Sequence, residues 1–381
     1  MPRHAAIEVD LDAITANAAA LRRVAPDAAL CAVVKADGYG HGAVPAARAA
    51  LAGGATWLAV ALVEEGEELR AAGIEAPILV LSQPHEDSMA DAAAARLVPT
   101  LYSAAGIAAA ERAAVGGEWE VHLKIDTGMH RVGADPDDAV ELAATIVESD
   151  SLRLGAVFTH LACADEPGHP LTVEQLSRFE TVLQQLHAAG LEPDAVHAAN
   201  SAGLLAHSRS HGDMVRAGIA LYGIDPVPDS GRGSELVPAL ALRSEVTHVR
   251  RIDAGEGVSY GMRHVFERPA TVAVVPLGYA DGVPRHLGLV GGEVLIGARR
   301  HPIRGVVTMD QLIVEVLDDP ASPGHPSVQV GDEVVLIGRQ GDEVVTAAEW
   351  AQLTDTIPYE IVCGFSARLP RTYVGELAGR A

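Results

Sequence analysis

The stretch Ala-Val-Val-Lys-Ala-Asp-Gly-Tyr-Gly-His-Gly, residues 32–42, passes from an apolar run through one lysine into a glycine-rich turn. Lys35 is therefore expected at the mouth of a protein core, where burial disfavours the ammonium form and leaves an amine that can attack a carbonyl. The glycines beside it let the backbone approach a bulky anion. Because a lysine at a strand end is more often a solvated charge, the rest of the chain must support this interpretation.

Eight short apolar runs alternate with helix-like segments between residue 30 and about residue 222. The runs cover residues 30–35, 57–62, 78–82, 98–103, 121–126, 154–160, 195–200 and 214–222. The segments between them include residues 43–54, 64–73, 84–97, 104–117, 137–149 and 172–190. Near-continuous apolar strands that alternate with helices indicate a parallel sheet covered on both faces. Eight such units predict an α/β fold with a (β/α)8 TIM-type barrel, and a doubly wound open sheet is the alternative.

Beyond residue 238 the helical spacing gives way to short valine-rich runs separated by Gly, Pro and Asp. These runs lie at residues 243–252, 270–276, 293–297, 303–307, 312–317 and 328–337. The pattern predicts a mostly β C-terminal domain. We therefore predict a barrel over residues 12–237 and a β-rich domain over residues 238–381. The strand-like start of the chain, within residues 1–11, is expected to join the sheet of the β-rich domain.

The composition argues against several classes of protein. The 381 residues carry 28 Lys and Arg against 51 Asp and Glu, so the net charge of −23 disfavours nucleic acid or an anionic membrane surface as a partner. Cys31, Cys163 and Cys363 are far apart, and we expect free thiols in a reducing compartment, with neither disulfides nor a zinc site. The early acidic residues do not suit a signal peptide, and no run reaches the roughly 18 apolar residues of a membrane helix. We expect a cytoplasmic protein.

Residues suited to catalysis or ligand binding lie where the expected barrel strands end. Active sites of such barrels are built at the carboxyl ends of the strands. These residues are Lys35, Lys124, Asp126, Arg131, His160, Asn200, Ser201, Arg216, Gly218 and Ile219. Taken alone, each has an ordinary explanation, such as a core histidine, a helix N-cap or a surface ion pair. Their coincidence favours one site, and the small residues after the last two strands suit a phosphate.

Blocks along nearly the whole chain resemble the alanine racemases, enzymes that use pyridoxal 5'-phosphate (PLP) to interconvert L- and D-alanine. Besides residues 32–42, the blocks cover residues 123–133, 158–162, 200–201, 214–223, 257–261, 276–282, 308–311 and 357–360. The blocks follow one another in the family's order, which makes the resemblance specific. It implies PLP as cofactor, a barrel joined to a β-rich domain, and a homodimer whose active sites are shared between subunits.

The resemblance also implies roles for single residues. Lys35 resembles the lysine that binds PLP and serves as one racemisation base. Tyr260 resembles the second base, which reaches the site from the other subunit, and His160 resembles its hydrogen-bond partner. Arg216 resembles the partner of the pyridine nitrogen of PLP. Because an arginine there keeps its proton, it should weaken the ring as an electron sink.

Other matches concern the phosphate, the substrate and one modified lysine. The cofactor-binding set includes Tyr39, Asn200, Ser201, Gly218, Ile219 and Tyr359. Arg131 matches a contact to the substrate carboxylate, as does the backbone N–H of Met309 from the other subunit, and Tyr279 matches a residue lining the entrance. Lys124 resembles a lysine that is often carbamylated and then holds Arg131 in place. The alternative for Lys124 is a surface lysine paired with Asp126.

The resemblance favours a racemase that acts on alanine and supplies D-alanine for peptidoglycan. A serine or broad-spectrum racemase would need a roomier pocket than Tyr279 and Tyr359 imply. A basic amino-acid decarboxylase would prefer a protonated pyridine and needs no second base, so Arg216 and Tyr260 argue against it. The β-rich domain argues against a non-catalytic PLP carrier, and a barrel without any cofactor is the remaining alternative.

Overall fold

The computed structural model describes residues 4–317 and 328–380. The chain divides into two compact units. One unit runs from Leu11 to Val237. The other unit combines strand β1 (Ala5–Asp10) with the chain from Pro238 to Ala378. The sheet of this second unit therefore takes its strands from both ends of the sequence.

The first unit contains a single sheet of eight parallel strands. They are β2 (Ala29–Val33), β3 (Trp57–Val60), β4 (Ile78–Val80), β5 (Val98–Leu101), β6 (Trp119–Lys124), β7 (Leu152–Phe158), β8 (Ala195–His197) and β9 (Met214–Ala217). They pair in the order β8-β7-β6-β5-β4-β3-β2-β9. The N–H of Asp213 donates to the carbonyl of Val196 at 2.8 Å, and the N–H of Arg216 donates to that of Ala199 at 3.1 Å. These bonds bring the two edges together in a nearly closed barrel, and the predicted TIM-type fold is confirmed.

The helices of the barrel unit are rich in small residues. They are α1 (Leu11–Val24), α2 (Lys35–Tyr39), α3 (Ala43–Ala52), α4 (Val63–Ala71), α5 (Met89–Ala94), α6 (Ala104–Ala113), α7 (Ala139–Glu148), α8 (Pro170–Ala188) and α9 (Ser201–Ala206). Small residues let neighbours approach closely: a Cβ added at Gly53 would lie 2.3 Å from the carbonyl oxygen of Thr15 in α1. In the parts of the chain that the structure describes, no helix is long and apolar enough to cross a membrane.

The second unit is built mostly from short antiparallel strands. They are β10 (Leu240–Glu245), β11 (His248–Ile252), β12 (Gly257–Val258), β13 (His264–Val265), β14 (Ala270–Val275), β15 (Glu293–Ile296), β16 (Arg299–Pro302), β17 (Leu312–Val316), β18 (Glu333–Gln340), β19 (Glu343–Val345) and β20 (Arg371–Val374). The largest sheet has the order β16-β15-β18-β10-β1-β20, with β19 paired to β18. A second sheet has the order β11-β14-β17, and β12 pairs with β13. The prediction of a mostly β C-terminal domain is confirmed.

Several details of the second unit differ from the sequence-based prediction. The strand expected at residues 303–307 is wrong, because Gly305 adopts φ +74° and breaks the extended backbone just after β16. The run at residues 243–252 holds two strands, and the run at residues 328–337 becomes extended only at Glu333. Two helices, α10 (Ala347–Thr354) and α11 (Pro358–Cys363), were not predicted.

Candidate active site

Lys35 begins the short segment α2 after β2, and the residues that follow it in α2 form a left-handed turn rather than a regular α-helix. The φ angles are 53° at Ala36, 52° at Asp37, 61° at Gly38, 53° at Tyr39 and 80° at Gly40. Since left-handed backbone costs an L-residue roughly 1–2 kcal/mol, specific contacts must hold this turn. The Glu65 carboxylate accepts the N–H of Ala36 at 2.6 Å, and the Asp37 carboxylate accepts the N–H of Ala43 at 2.9 Å. The turn fixes the backbone beside Lys35 and places Tyr39 in the interior.

Tyr39, Ser201 and Gly218 meet at one corner of the barrel mouth. A Cβ added at Gly218 would lie 2.5 Å from the Tyr39 hydroxyl oxygen, so only a glycine admits the phenol there. The Ser201 hydroxyl accepts the N–H groups of Gly218 at 2.9 Å and Ala220 at 3.3 Å. Ile219, between them, begins a 3-10 turn. Hydroxyl and backbone N–H groups of this kind bind phosphates in proteins.

Asn200 holds the start of α9, the helix that carries Ser201. Its side-chain oxygen accepts the N–H of Gly203 at 2.9 Å, and its amide donates to the carbonyl of Leu161 at 3.1 Å. Both polar ends of Asn200 are therefore used within the barrel. Asn200 thereby fixes the start of α9, which carries Ser201, and the loop that follows His160.

Arg216 is a buried guanidinium at the end of β9. It donates to the carbonyl oxygens of Thr159 at 2.8 Å and Ala198 at 3.0 Å, and it lies 3.4 Å from His160 Nδ1. Its guanidinium carbon stands 5.2 Å from the centre of the Phe158 ring. Burial lowers the pKa of Arg216 to about 10, so the group remains cationic at neutral pH.

Lys124, at the end of β6, lies in a group of cations. Burial, followed by the charges of Arg216 and Arg131, lowers the pKa of Lys124 to about 8. Its side chain is only 5% exposed, so the alternative of an ordinary surface lysine is wrong. The Asp126 carboxylate instead accepts three backbone N–H groups of the following loop at 2.9–3.0 Å. These bonds keep the pKa of Asp126 below its ordinary value although burial raises it.

His160 lies within reach of the same charges. Burial, and then Arg216, Lys124, Arg131 and Lys35, hold the pKa of His160 well below its ordinary range. The imidazole is therefore neutral at physiological pH. The structure thus brings together, at the carboxyl ends of β2, β6, β7 and β9, the residues that the sequence placed there.

The second unit carries the other four candidate residues, and three of them are exposed. Tyr260 is 73% exposed, Met309 52% and Tyr279 42%. Tyr279 and Met309 belong to one structure, since the N–H of Tyr279 donates to the carbonyl of Thr308 at 2.9 Å. A Cβ added at Gly278 would lie 2.3 Å from the carbonyl oxygens of Thr308 and Met309. Close backbone contact therefore fixes this pair.

Tyr260 projects from a strained turn, and Tyr359 lies at the start of α11. Ser259 has φ 63° and ψ −177°, a region that is almost confined to glycine. Its hydroxyl donates to the carbonyl of Val306 at 2.5 Å, which helps to hold the strain. Tyr359 is half-buried. The hydrogen bond from Ser259 to Val306 therefore helps to fix the backbone that presents Tyr260 to solvent.

Comparison with known proteins identifies the family. The model of the alanine racemase N-terminal domain matches residues 9–226, and the model of the C-terminal domain matches residues 239–373. The chain belongs to the alanine racemase family. The alanine racemase of Symbiobacterium thermophilum is 49% identical over 373 residues, which cover 97% of each chain. That of Thermobifida fusca is 43% identical over 99% of this chain and 100% of its own length.

Solved structures agree with this result. The alanine racemase of Streptomyces coelicolor A3(2) superposes with a TM-score of 0.91 at 39% identity, covering 98% of each chain. The racemase described here is accordingly a PLP-dependent isomerase that interconverts L- and D-alanine. The candidate site residues fall within the two matched ranges, one range in each unit.

Sequence reasoning missed three side chains in the interior of the racemase barrel. They are Glu120, His122 and His197. A signal was present, because Glu120, His122 and Lys124 alternate along β6 and alternate residues of a strand share a face. The lysines give a second signal for the location of the site. The sequence contains only two lysines, Lys35 and Lys124, and all its other Lys or Arg positions are arginines. Lysine is the cation that burial readily deprotonates.

Proposed function

We propose that this racemase moves the α-proton of alanine with two bases, Lys35 and Tyr260. Racemisation removes a proton from one face of the α-carbon and returns one to the other, so it needs a base on each side. The observation that carries the proposal is the group of Lys35, Lys124, Arg131 and Arg216 around the neutral His160. Such a group favours the anionic forms of a substrate carboxylate and of a phenol.

The residues of the barrel fit PLP. Its aldehyde needs an amine, which Lys35 supplies, and its pyridine nitrogen needs a donor, which Arg216 supplies from a buried position. Its phosphate needs hydroxyl and N–H groups, and Tyr39, Ser201 and Gly218 present these at one corner. When bound, PLP supplies the conjugated ring that stabilises the negative charge left by the departing proton.

Arg216 supports racemisation over other PLP reactions. A guanidinium with a pKa of about 10 donates a hydrogen bond to the pyridine nitrogen but keeps its proton at neutral pH. Arg216 would thereby leave a bound PLP less electron-withdrawing than a protonated pyridine. Negative charge would remain nearer the α-carbon of the substrate, which would favour the return of a proton over decarboxylation and transamination.

We place the second base on the partner subunit. Tyr260 is 73% exposed, and the neighbouring Met262 and Val265 are 62% and 50% exposed. An apolar surface of this kind is typical of a protein interface. In a homodimer the phenol would enter the group of cations around His160, which would stabilise the negative charge on a tyrosine that acts as a base.

Arg131 and Met309 are proposed to hold the substrate carboxylate, and Tyr279 and Tyr359 to narrow the entrance. Arg131 is exposed beside Lys124, so its guanidinium is available for a carboxylate. Met309 would contribute its backbone N–H from the partner subunit. Two tyrosines at the entrance leave room for the methyl group of alanine better than for a long side chain.

Lys124 is proposed to carry a carbamate. The ammonium would first lose one proton. The neutral amine would then attack CO2, form an N–C bond as one C–O π bond becomes the carboxylate, and release a second proton, so that a cation becomes an anion. Because the pKa of Lys124 is lowered to about 8, the neutral amine is accessible near physiological pH. The carbamate would then attract Arg131 where the ammonium repels it.

We place the enzyme in the cytoplasm, a reducing compartment, because its three cysteines lie far apart in the sequence. There it would supply D-alanine for peptidoglycan.

The test is to incubate L-alanine with the PLP-loaded protein in deuterated water and to separate the enantiomers. The wild type should form D-alanine that carries deuterium at the α-carbon. Lys35→Ala should abolish this, and Tyr260→Phe should slow it at least about 100-fold, the scale of one general acid–base group. Tyr373→Phe, in β20, is the matched control and should keep the wild-type rate. A Tyr260→Phe enzyme as fast as this control would contradict the two-base proposal.

A further inference from the structure

A row of polar side chains crosses the barrel interior from Arg216 toward the amino ends of the strands. Arg216 Nη1 contacts His197 Nδ1, and His197 Nε2 lies 3.3 Å from His122 Nδ1. His122 Nε2 lies 3.3 Å from Glu120 Oε1. Arg153 then donates to Glu120 Oε2 at 2.5 Å. The row joins the buried guanidinium to a carboxylate at the start of β6.

The chemistry of these groups allows one arrangement of protons. Arg216 has donors only, so His197 Nδ1 must accept, and the proton of a neutral His197 lies on Nε2. That N–H donates to His122 Nδ1, which places the proton of a neutral His122 on Nε2. The latter donates to the Glu120 carboxylate. Burial keeps the pKa of each histidine below its ordinary value, well below in the case of His197, so both imidazoles are neutral.

Packing holds the row in place. His122 and His197 are at most 1% exposed, and the His197 ring stacks on Phe158 with 4.5 Å between ring centres and 11° between planes. Phe158 also lies under the guanidinium of Arg216. The imidazole and the guanidinium therefore share one aromatic surface, and a change in the orientation of His197 would displace Arg216.

The barrel makes room for the carboxylate at the far end. A Cβ added at Gly155 in β7 would lie 2.5 Å from Glu120 Cγ and 2.6 Å from Glu120 Oε1. The hydrogen bond with His122 keeps the pKa of Glu120 below its ordinary value, so the group is anionic. The hydrogen-bond partners that the structure gives Arg216 are carbonyls and imidazoles. Glu120 is the carboxylate to which this row connects it.

We propose that Glu120 is a positioning residue for Arg216, acting through the fixed protons of His122 and His197. The Glu120 carboxylate accepts a hydrogen bond from His122 Nε2 and so favours the Nε2–H form of His122. His122 Nδ1 then accepts from His197, which favours the Nε2–H form of His197. His197 Nδ1 is therefore left to accept from the Arg216 guanidinium. Arg216 is thereby held in the orientation from which it donates to the pyridine nitrogen. This inference rests on the proposed function, which assigns Arg216 to that nitrogen.

The first measurement uses the protein without PLP. Histidine labelled with ¹⁵N reports the protonated nitrogen of each imidazole by NMR, and His122→Gln assigns the signals. The wild type should show His122 and His197 as Nε2–H. Glu120→Ala should produce a mixture of tautomers, and Glu120→Gln, which keeps the size and one acceptor oxygen, should lie between them. If the tautomers of both variants equal those of the wild type, the proposal is wrong.

The second measurement uses the PLP-loaded enzyme. Glu120→Ala should lower kcat for alanine about tenfold, the lower end of the range for losing a hydrogen-bond partner that supports a site residue, because two histidines separate Glu120 from Arg216. KM should be nearly unchanged, and the absorbance of bound PLP should shift. Glu120→Gln should lower kcat less. Asp194→Asn is the matched control, because Asp194 also pairs with Arg153 but contacts neither histidine. It should leave kcat and absorbance as in the wild type.

The outcomes separate this inference from the proposed function. Altered tautomers with unchanged kcat and PLP absorbance would refute a positioning role. An equal loss in Asp194→Asn would show that the charge of Arg153, rather than the row of histidines, matters. If Glu120→Ala does not fold, Glu120→Gln carries the test alone. A wild type that loads PLP but does not racemise alanine would overturn the proposed function, while the tautomers would still decide whether Glu120 orders the row.

Discussion

At the scale of single residues, the positions of the two lysines mark the candidate site. The chain uses arginine for every other permanent cation, yet both of its lysines lie at the carboxyl ends of barrel strands. Arginine cannot lose its proton in a protein, whereas a buried lysine can. The proposed role of Lys35 needs a neutral amine that binds the aldehyde of PLP. The proposed carbamate needs a neutral amine at Lys124, which its pKa of about 8 makes accessible. Both proposals therefore depend on an amine that can lose its proton.

The carbamate at Lys124 gives a prediction with a clear pH dependence. The neutral fraction of the amine grows as the pH rises through about 8, so ¹³C-bicarbonate should yield a carbamate NMR signal that strengthens above that pH and fades in acid. The signal should be absent from Lys124→Met and present in Lys35→Ala, the matched control. With so few amines in the chain, its source is easily assigned. A spectrum without the signal in the wild type at pH 9 would contradict the carbamate.

At the scale of elements, the turn after β2 has a strained left-handed backbone, and several of its left-handed residues are not glycines. Ala36, Asp37 and Tyr39 are all left-handed, although each has a side chain that disfavours this backbone. The bonds from Glu65 and Asp37 hold the turn. Stored strain is common where a functional group must be aimed. Here it aims Lys35 and turns Tyr39 toward Gly218.

This strain predicts opposite effects for one substitution at two places. Ala36→Gly should raise the melting temperature by about 1–2 °C, because glycine removes a left-handed penalty that exceeds its own entropic cost. Ala16→Gly, at an exposed position inside α1, should lower it by a similar amount, because glycine weakens a right-handed helix. Calorimetry measures the melting temperatures of the two variants. If Ala36→Gly lowers the melting temperature as Ala16→Gly does, the turn is not strained.

The sequence reveals elements better than it reveals their ends. All eight barrel strands were predicted, because parallel strands buried on both faces are continuous apolar runs. Most were predicted a few residues too long, because apolar residues such as Leu62, Leu81 and Tyr102 follow the strand ends in the sequence. The left-handed turn could not be predicted, because the hydrogen bond that holds it comes from Glu65, which is distant from Ala36 in the sequence. The run at residues 303–307 was mistaken for a strand because Val306 and Val307 are buried there without extended pairing.

The same limits apply to the site. Lys35, Lys124, His160, Ser201 and Arg216 could be placed from strand ends and from the resemblance. The row beneath Arg216 could not, because a histidine inside an apolar strand gives no sign of what its two nitrogens contact. Only the three-dimensional arrangement of β6, β8 and β9 shows that Glu120 and Arg216 are connected.

At the scale of the whole molecule, the site residues are divided between two units that differ in exposure. The barrel holds Lys124 and Ser201 buried near the buried Arg216, whereas the second unit presents Tyr260, Met309 and Tyr279 to solvent. If Tyr260 is the second base, as proposed, its exposed phenol needs another surface to cover it. The proposed homodimer, in which each barrel receives the partner's Tyr260, meets this need and predicts that activity depends on protein concentration.

A mixture of two inactive variants tests the shared site directly. Lys35→Ala and Tyr260→Phe are each expected to be nearly inactive as homodimers. After unfolding and refolding together, a mixed dimer has one site in which the intact Lys35 of one chain meets the intact Tyr260 of the other. Random pairing should therefore restore about a quarter of the wild-type turnover per chain. Mixing Lys35→Ala with Lys35→Ala,Tyr260→Phe is the control and should restore none, since no chain then supplies Lys35. If the first mixture also restores none although mass spectrometry detects mixed dimers, each barrel must use the Tyr260 of its own chain.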